Sequence, residues 1–286
     1  MTLKPFTCVA TDLDGTLLNA HSKLSAHTKE TLAALAARGI PVIVASGRPF
    51  STIPEEVLAL DAVRYIITGN GVRIYDKACG DFIYHCSLAP ESLDAILALV
   101  APYPVGYEFF IAGKAYANRA YLNDPARYGV LGATYHYLTS TRTPIDDLAT
   151  FVRDHAGEID SIGLSIDSQA LKQLLWQRLE TEVPDIYVTS SLARLIEIAD
   201  HRAGKGAALE VVLKLLGLDA EGLVAFGDAD NDLGMLRLAG RGVAMAGGAA
   251  HLKEAADLIA PPHDEDGVAH ILDKLLKEAE AHDTKA

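Results

Sequence analysis

The sequence predicts an α/β fold, a doubly wound, mostly parallel Rossmann-like sheet interrupted by an inserted α+β domain. Three observations carry that expectation. Short apolar runs alternate with helical patterns at the beginning of the chain. The middle loses this rhythm and shows clustered tyrosines with a hairpin signal at Gly113-Lys114. The rhythm then returns. The expected boundaries are 1–83 and 191–286 for the doubly wound part and 84–190 for the insertion.

Taken in order, Phe6 to Thr11 reads as a buried strand, and Ser25 can cap a helix running to Arg38 ahead of Gly39. Ile40 to Ala45 is the next strand, Ser51 to Leu60 a helix, and Tyr65 to Thr68 a third strand before an Asn70-Gly71 turn. Inside the insertion the pattern predicts helices over Pro90 to Ala101, Pro144 to His155 and Gln169 to Glu182. Afterwards come a helix from Lys205 to Leu216, a strand at Leu223 to Phe226, a helix after Asn231, a strand at Val243 to Ala246, a helix from Val268 and a polar end after Ala281.

Composition narrows the function. Half of the 286 residues are apolar, enough for one large or two moderate cores. The 25 basic residues face 38 acidic ones, a formal charge of −13 with no basic tract, which argues against a nucleic-acid partner. No apolar run approaches the ~20 residues of a membrane span, and Met1 to Ala10 has no stretch of signal-peptide length. A cytoplasmic protein is expected. Cys8, Cys79 and Cys86 lack metal-ligand spacing and are expected as buried free thiols. His85 and His136 likewise lack such spacing, and neither Ser165 nor Ser190 sits in a nucleophile elbow.

The chemistry concentrates at the ends of strands. Asp12-Leu13-Asp14-Gly15-Thr16 follows the first strand, at the edge where open α/β sheets bind ligands. In extended backbone, residues two apart share a face at roughly 6.5 to 7 Å, so Asp12 and Asp14 can flank one phosphoryl group. Asp-Gly is also an ordinary turn signal. Chance alone, however, gives Asp-x-Asp-Gly-Thr in about one chain of this length in several hundred. Ser46-Gly47 offers a hydroxyl and backbone N–H groups to an anion, although a serine there can equally cap a helix. Lys205 falls at a helix start, where the helix dipole disfavours a cation, so local helix physics does not account for it. Asp228 to Asp232 adds carboxyl groups at the same sheet edge, a like-charge cluster that a hard divalent cation would relieve.

Together Asp12-Leu13-Asp14-Gly15-Thr16-Leu17, Ser46-Gly47-Arg48, Lys205-Gly206 and Gly227-Asp228-Ala229-Asp230-Asn231-Asp232 resemble the four motifs of the haloacid dehalogenase superfamily, in order. The insertion of about 110 residues resembles the large class II cap of its Cof-type sugar-phosphate phosphatases. Ser46 follows alanine where these proteins often show threonine, and Val72 stands where alanine is common.

This resemblance implies a phosphatase acting on a small phosphorylated metabolite through an aspartyl-phosphate on Asp12, with Asp14 as general acid and base and Lys205 orienting the nucleophile. It implies Mg²⁺ held by Asp12, the Asp14 carbonyl and Asp228, with Asp232 supporting from behind. Phosphate or substrate contacts fall to Ser46, Gly47, Arg48, Asn70 and Asn231; Arg119, Tyr107 and Glu108 are cap candidates. No membrane or nucleic-acid partner is implied, and the assembly is a monomer or small homo-oligomer. A mutase similar to phosphomannomutase, or a non-catalytic sugar-phosphate binder, stays open as an alternative.

Overall fold

The computed structural model describes residues 6–283, so the sequence reading of Met1 to Pro5 and of the last three residues lies outside the described part. The chain opens with β1 (Cys8–Thr11), α1 (Ala26–Ala37), β2 (Val42–Ala45), α2 (Glu55–Leu58), β3 (Val63–Thr68), β4 (Arg73–Asp76) and β5 (Asp81–His85). Next come α3 (Pro90–Val100), β6 (Gly106–Ile111), β7 (Lys114–Asn118), α4 (Arg119–Asn123), α5 (Gly132–Thr141), β8 (Thr143–Ile145), α6 (Leu148–Asp154), β9 (Ser161–Ser165), α7 (Gln169–Glu182), β10 (Ile186–Thr189) and β11 (Leu195–Asp200). The last part is α8 (Lys205–Leu216), β12 (Leu223–Gly227), α9 (Leu233–Leu238), β13 (Arg241–Met245), α10 (Ala250–Ala255), β14 (Leu258–Ala260) and α11 (Gly267–Asp283).

The first sheet has the order β14-β13-β12-β1-β2-β3-β4-β5, parallel from β14 to β3 and antiparallel at the β4-β5 hairpin. Residues of β1, β2 and β12 are buried throughout, which explains why these strands read as continuous apolar runs and not as alternations. Helices on the two faces build separate apolar clusters, one around Val9, Val44 and Leu272 and the other around Ala10, Ile43 and Leu209. The chain leaves β1 toward β2 on one side and later returns to β12 on the other. Strand order therefore reverses at β1, and the carboxyl end of β1 is the natural ligand crevice of such a sheet.

The second sheet, β10-β11-β9-β6-β7-β8, carries the insertion and has its own core around Phe109, Ile162 and Leu175. It takes in β11, which lies beyond residue 190, so the insertion returns to the first sheet only after Asp200. The reason is pairing: alternate residues of Leu195–Asp200 complete the insertion's apolar face, as Ile196 and Ile198 do.

Local differences from the sequence reading have local causes. The helix expected over Ser51 to Leu60 is a 3₁₀ turn, Phe50–Thr52, followed by α2, because Pro54 interrupts it. Pro144 is in the edge strand β8 and not in a helix; α6 starts only where the Asp147 carboxylate accepts the N–H groups of Ala149 and Thr150 at 3.1 and 3.2 Å. Cys79 is exposed in the β4-β5 turn, whereas Cys8 and Cys86 are buried as expected. Ser25 does cap α1, accepting from the Thr28 N–H at 2.9 Å, and the hairpin of β6 and β7 turns through Ala112-Gly113, both at positive φ. Among the described residues no helix is long and apolar enough to cross a membrane.

The turn between β3 and β4 touches the linker that leads from β11 of the second sheet back to α8. A Cβ on Gly71, at φ +101°, would come within 2.3 Å of the Gly204 carbonyl oxygen, so this crossing demands glycine. Beside it, Arg73 on β4 grips buried Asp160 with two hydrogen bonds of 2.8 and 3.0 Å.

At the half-exposed seam between two neighbouring helices, His27 on α1 donates to Asp273 on α11 at 2.8 Å and lies 3.5 Å from Asp266. The Asp273 hydrogen bond, outweighing some desolvation, raises the His27 pKa. A raised histidine stabilises the fold in full below its unfolded value of ~6.5, and that contribution disappears as pH rises through the folded value. We expect His27→Gln to cost at most about 1 kcal/mol at pH 6. Urea unfolding should show the difference shrinking toward pH 9; a gap that widens with pH would contradict this.

Candidate active site

Asp12 is the first residue beyond β1, and its N–H still donates to the Phe226 carbonyl at 3.0 Å. Leu13 then turns into the core, and Leu18 N–H closes the loop on the Leu13 carbonyl at 2.9 Å. This bend separates the two aspartates that an extended strand would align. Asp12 is buried, while the Asp14 side chain is 52% exposed and faces Arg48. Arg48 holds it with two 2.6 Å hydrogen bonds, from Nε to Oδ2 and from Nη2 to Oδ1. Gly15, at φ +78°, allows the loop to pass Asp228, whose carboxylate oxygen would lie 2.7 Å from a Cβ there.

Lys205 stands at the head of α8 with no solvent exposure. Its Nζ donates to Asp12 Oδ1 and Asp232 Oδ1, each at 2.6 Å. Asp232 in turn accepts from the Asp228 and Ala229 N–H groups at 2.8 and 3.1 Å, which fixes the loop after β12. Carboxylate oxygens of Asp12, Asp228 and Asp232 lie within 4.8 Å of one another. Thr16 donates to Asp228 Oδ1 at 3.2 Å.

Two of these three carboxylates thus share one ammonium, with the third beside them. Burial pulls the Lys205 pKa down, but Asp12 and Asp232 outweigh it and raise the value, so the ammonium stays charged. Burial pushes the Asp12 carboxyl well above its ordinary range; Lys205 opposes this, while Asp232, Asp228 and Asp14 add to it. Burial, followed by the Asp232 charge, pushes Asp228 up to about 6.

Ser46 is buried at the end of β2, and its Oγ accepts the Arg48 N–H at 3.1 Å. Asn70, in a left-handed conformation at φ 56°, knits three segments together. Its backbone donates to the Ser46 carbonyl at 3.1 Å and accepts from Gly204 N–H at 2.8 Å. Its side chain donates to Glu197 Oε1 on β11 and accepts from Asn231, both at 2.9 Å. Gly47 lies against this pair, since a Cβ there would sit 3.0 Å from Asn70 Oδ1. Asn231 Oδ1 and Glu197 Oε2 are buried without a hydrogen-bond partner. Burial raises the Glu197 pKa, although Ser191, Asn70 and Lys205 pull the other way.

The structure therefore gathers Asp12, Lys205, Asp228 and Asp232 in one cluster, Ser46, Gly47, Asn70 and Asn231 in a linked second one, and Asp14 with Arg48 beside them. Of the insertion candidates, Glu108 is buried with Arg142, whereas Arg119 pairs with Asp146 at an exposed position and Tyr107 stacks on Phe109. Sequence reasoning missed Glu197, whose signal was a carboxylate inside the apolar run Leu195-Ile196-Glu197-Ile198. Thr16 stood inside a motif without a role, and Thr52, Tyr137 and Arg142 carried no local signal. Ser165 and Ser190 are structural, bonded to Tyr121 and Lys172.

A buried aspartate and lysine at the switch point of a doubly wound sheet, under an inserted α+β domain, define a class. The family model of haloacid dehalogenase-like hydrolases matches residues 9–272, and the chain belongs to that family. Among its relatives, Phosphatase YwpJ of Bacillus subtilis is 30% identical over 285 residues, covering 94% of this chain and 99% of that one. The HMP-PP phosphatase of Cronobacter sakazakii is 30% identical over 237 residues, 82% of each chain. A solved subclass IIB sugar phosphatase superposes with a TM-score of 0.80 at 21% identity over 94% of this chain and 98% of that one, a likeness of fold alone.

Removing the ammonium would leave buried carboxylates facing one another. Lys205→Met should therefore destabilise the protein by about 3–5 kcal/mol in urea unfolding, and adding Asp232→Asn should recover part of it. A neutral effect of Lys205→Met would show that the cluster is not held by this cation.

Proposed function

We propose that the protein is a phosphatase that hydrolyses phosphate monoesters of small metabolites, with Asp12 as the nucleophile. The observation that carries this reading is the Asp12 carboxylate, buried at the sheet's switch point and held 2.6 Å from the buried Lys205 ammonium. The names of the relatives, a phosphatase and an HMP-PP phosphatase, support the same class.

An Asp12 oxygen attacks phosphorus and forms the acyl-phosphate bond while the ester P–O bond breaks. Lys205 neutralises charge near the nucleophile, and the Ser46 hydroxyl with the Gly47 N–H donates to the phosphoryl oxygens. Asp14, which keeps one oxygen on Arg48 and is protonated on the oxygen it turns toward the substrate, gives that proton to the departing alkoxide. It then accepts a proton from water as that water attacks phosphorus, releasing inorganic phosphate and restoring Asp12.

The donor set suits Mg²⁺. Three carboxylates within 4.8 Å, against a single ammonium, form an all-oxygen and over-negative cluster of the kind a hard divalent ion relieves. Asp12, the Asp14 carbonyl and Asp228 would hold the ion. Asp232 is committed to Lys205 and two backbone N–H groups and would orient the others. A bound ion would supply charge neutralisation for the phosphoryl oxygens.

The test is phosphate release from a panel of sugar, nucleotide and vitamin monophosphates, with and without Mg²⁺. Asp12→Asn should lower turnover by at least about 10⁴-fold with unchanged circular dichroism; substantial activity in the purified variant would refute the nucleophile. Proton competition gives a second expectation. With Asp228 pushed up to about 6, the Mg²⁺ concentration for half-maximal rate should rise as pH falls below that value. Titrations at pH 5.5 and 7.5 that give equal half-saturation would contradict the assignment of Asp228.

A further inference from the structure

The insertion reaches the general acid through one tyrosine. Arg48, which grips Asp14, has its remaining terminal nitrogen, Nη1, on the Thr52 carbonyl at 2.9 Å. The Thr52 hydroxyl in turn hydrogen-bonds the Tyr137 hydroxyl at 3.0 Å, and the Tyr137 ring lies under the Arg48 guanidinium, 5.5 Å from carbon to centroid. Tyr137 belongs to α5 of the insertion, whereas Arg48 and Thr52 belong to the first sheet's loops.

Tyr137 is itself anchored from behind. Arg142 lies over the same ring at 4.7 Å and donates to Glu108 on β6 at 2.7 Å and to Thr141 at 2.7 Å. Both members of the Arg142-Glu108 pair are almost fully buried. A continuous line of contacts thus runs from Glu108 through Arg142, Tyr137 and Arg48 to Asp14.

Three hydrogen-bonded nitrogens set the plane of the Arg48 guanidinium, and a ring against one face limits how far that plane can tilt or swing away. Here the tyrosine ring covers a face, and its π electrons attract the cation. Asp14 is half exposed and has no other side-chain partner among the described residues. Its placement therefore depends on Arg48, and that of Arg48 on Tyr137.

We infer that Tyr137 is a positioning residue contributed by the inserted domain, which sets Arg48 and through it the proton-transferring carboxyl of Asp14. The inference rests on the phosphatase reading and assigns this residue a task within it: seating α5 on Thr52 completes the acid-base arm of the site. Tyr137 touches neither phosphorus nor the nucleophile.

Leaving-group chemistry separates this role from simple packing. An alkyl phosphate needs a proton on its departing oxygen, whereas p-nitrophenyl phosphate expels a stabilised phenolate that does not. The comparison is kcat/KM, which reports steps up to formation of the phospho-enzyme, for p-nitrophenyl phosphate and for the alkyl phosphate the wild type uses best. Tyr137→Ala should lower kcat/KM for the alkyl ester by about 10²-fold and that for p-nitrophenyl phosphate by less than about 3-fold. Asp14→Asn should show the same split, more strongly.

Tyr137→Phe keeps the ring over Arg48 and loses only the Thr52 contact. It should fall between wild type and Tyr137→Ala, and it carries the test if the alanine variant proves unfolded. Equal losses on both esters, or no loss on either, would overturn the inference while leaving the phosphatase reading intact. A wild type that releases phosphate from neither ester would instead remove the reading beneath it.

Discussion

The Lys205 ammonium, buried between Asp12 and Asp232, is the contact on which the rest of the site depends. A lysine with no solvent exposure is tolerated only because two carboxylates accept from it at 2.6 Å. That arrangement ties the end of β1, the head of α8 and the loop after β12 to one nitrogen atom. It also explains the backbone around it. Gly206 must be small because a Cβ would meet the Gly234 carbonyl carbon at 2.7 Å, and that close approach of α8 to α9 brings Lys205 to Asp232. Asp232, by accepting two backbone N–H groups with its other oxygen, converts a charge pair into a fixed loop geometry.

Asp12 and Asp14 differ through burial more than through sequence. Asp12 sits among charges in a desolvated position and shares the field of Lys205, Asp228 and Asp232. Asp14, two residues on, projects outward because Leu13 turns into the core and the loop closes on Leu18. One carboxylate is thus held rigidly by the sheet while the other is reached by an arginine from the neighbouring loop. A nucleophile benefits from the first environment and a proton carrier from the second, since a proton carrier must meet both a leaving group and water.

The sequence made the core of this site readable because its parts are local. Asp12-Leu13-Asp14-Gly15-Thr16 marks a strand end, and the burial of β1 and β12 appears directly as apolar runs. Ser46, Lys205 and Asp228 could be placed at one sheet edge because topology, once inferred, brings the ends of parallel strands together. What escaped depends on tertiary pairing. Nothing near Glu197 says that it will face Asn70, 127 residues earlier. The edge of the insertion was misplaced because Leu195–Asp200 reads like any strand, and only its partner β9 decides which sheet it joins. Likewise α5, which carries Tyr137, has no side-chain N-cap and only a weakly apolar pattern, so it left little helical signal.

The distribution of contacts between the two sheets suggests why such an insertion suits the chemistry. The first sheet and its helices alone assemble Asp12, the Lys205 ammonium and the carboxylate cluster, all at one edge of that sheet. The insertion contributes no group to that cluster among the described residues; it touches the site at Asn70 through Glu197 and at Arg48 through Tyr137. At both points the backbone is irregular, left-handed at Asn70 and, just after Arg48, a 3₁₀ turn ending at Thr52. Irregular loops have fewer internal hydrogen bonds to hold them, so outside contacts have the greatest leverage there. A domain placed in this way can vary its substrate-facing surface while keeping two fixed supports beneath it, and the reacting groups need not change when the substrate does.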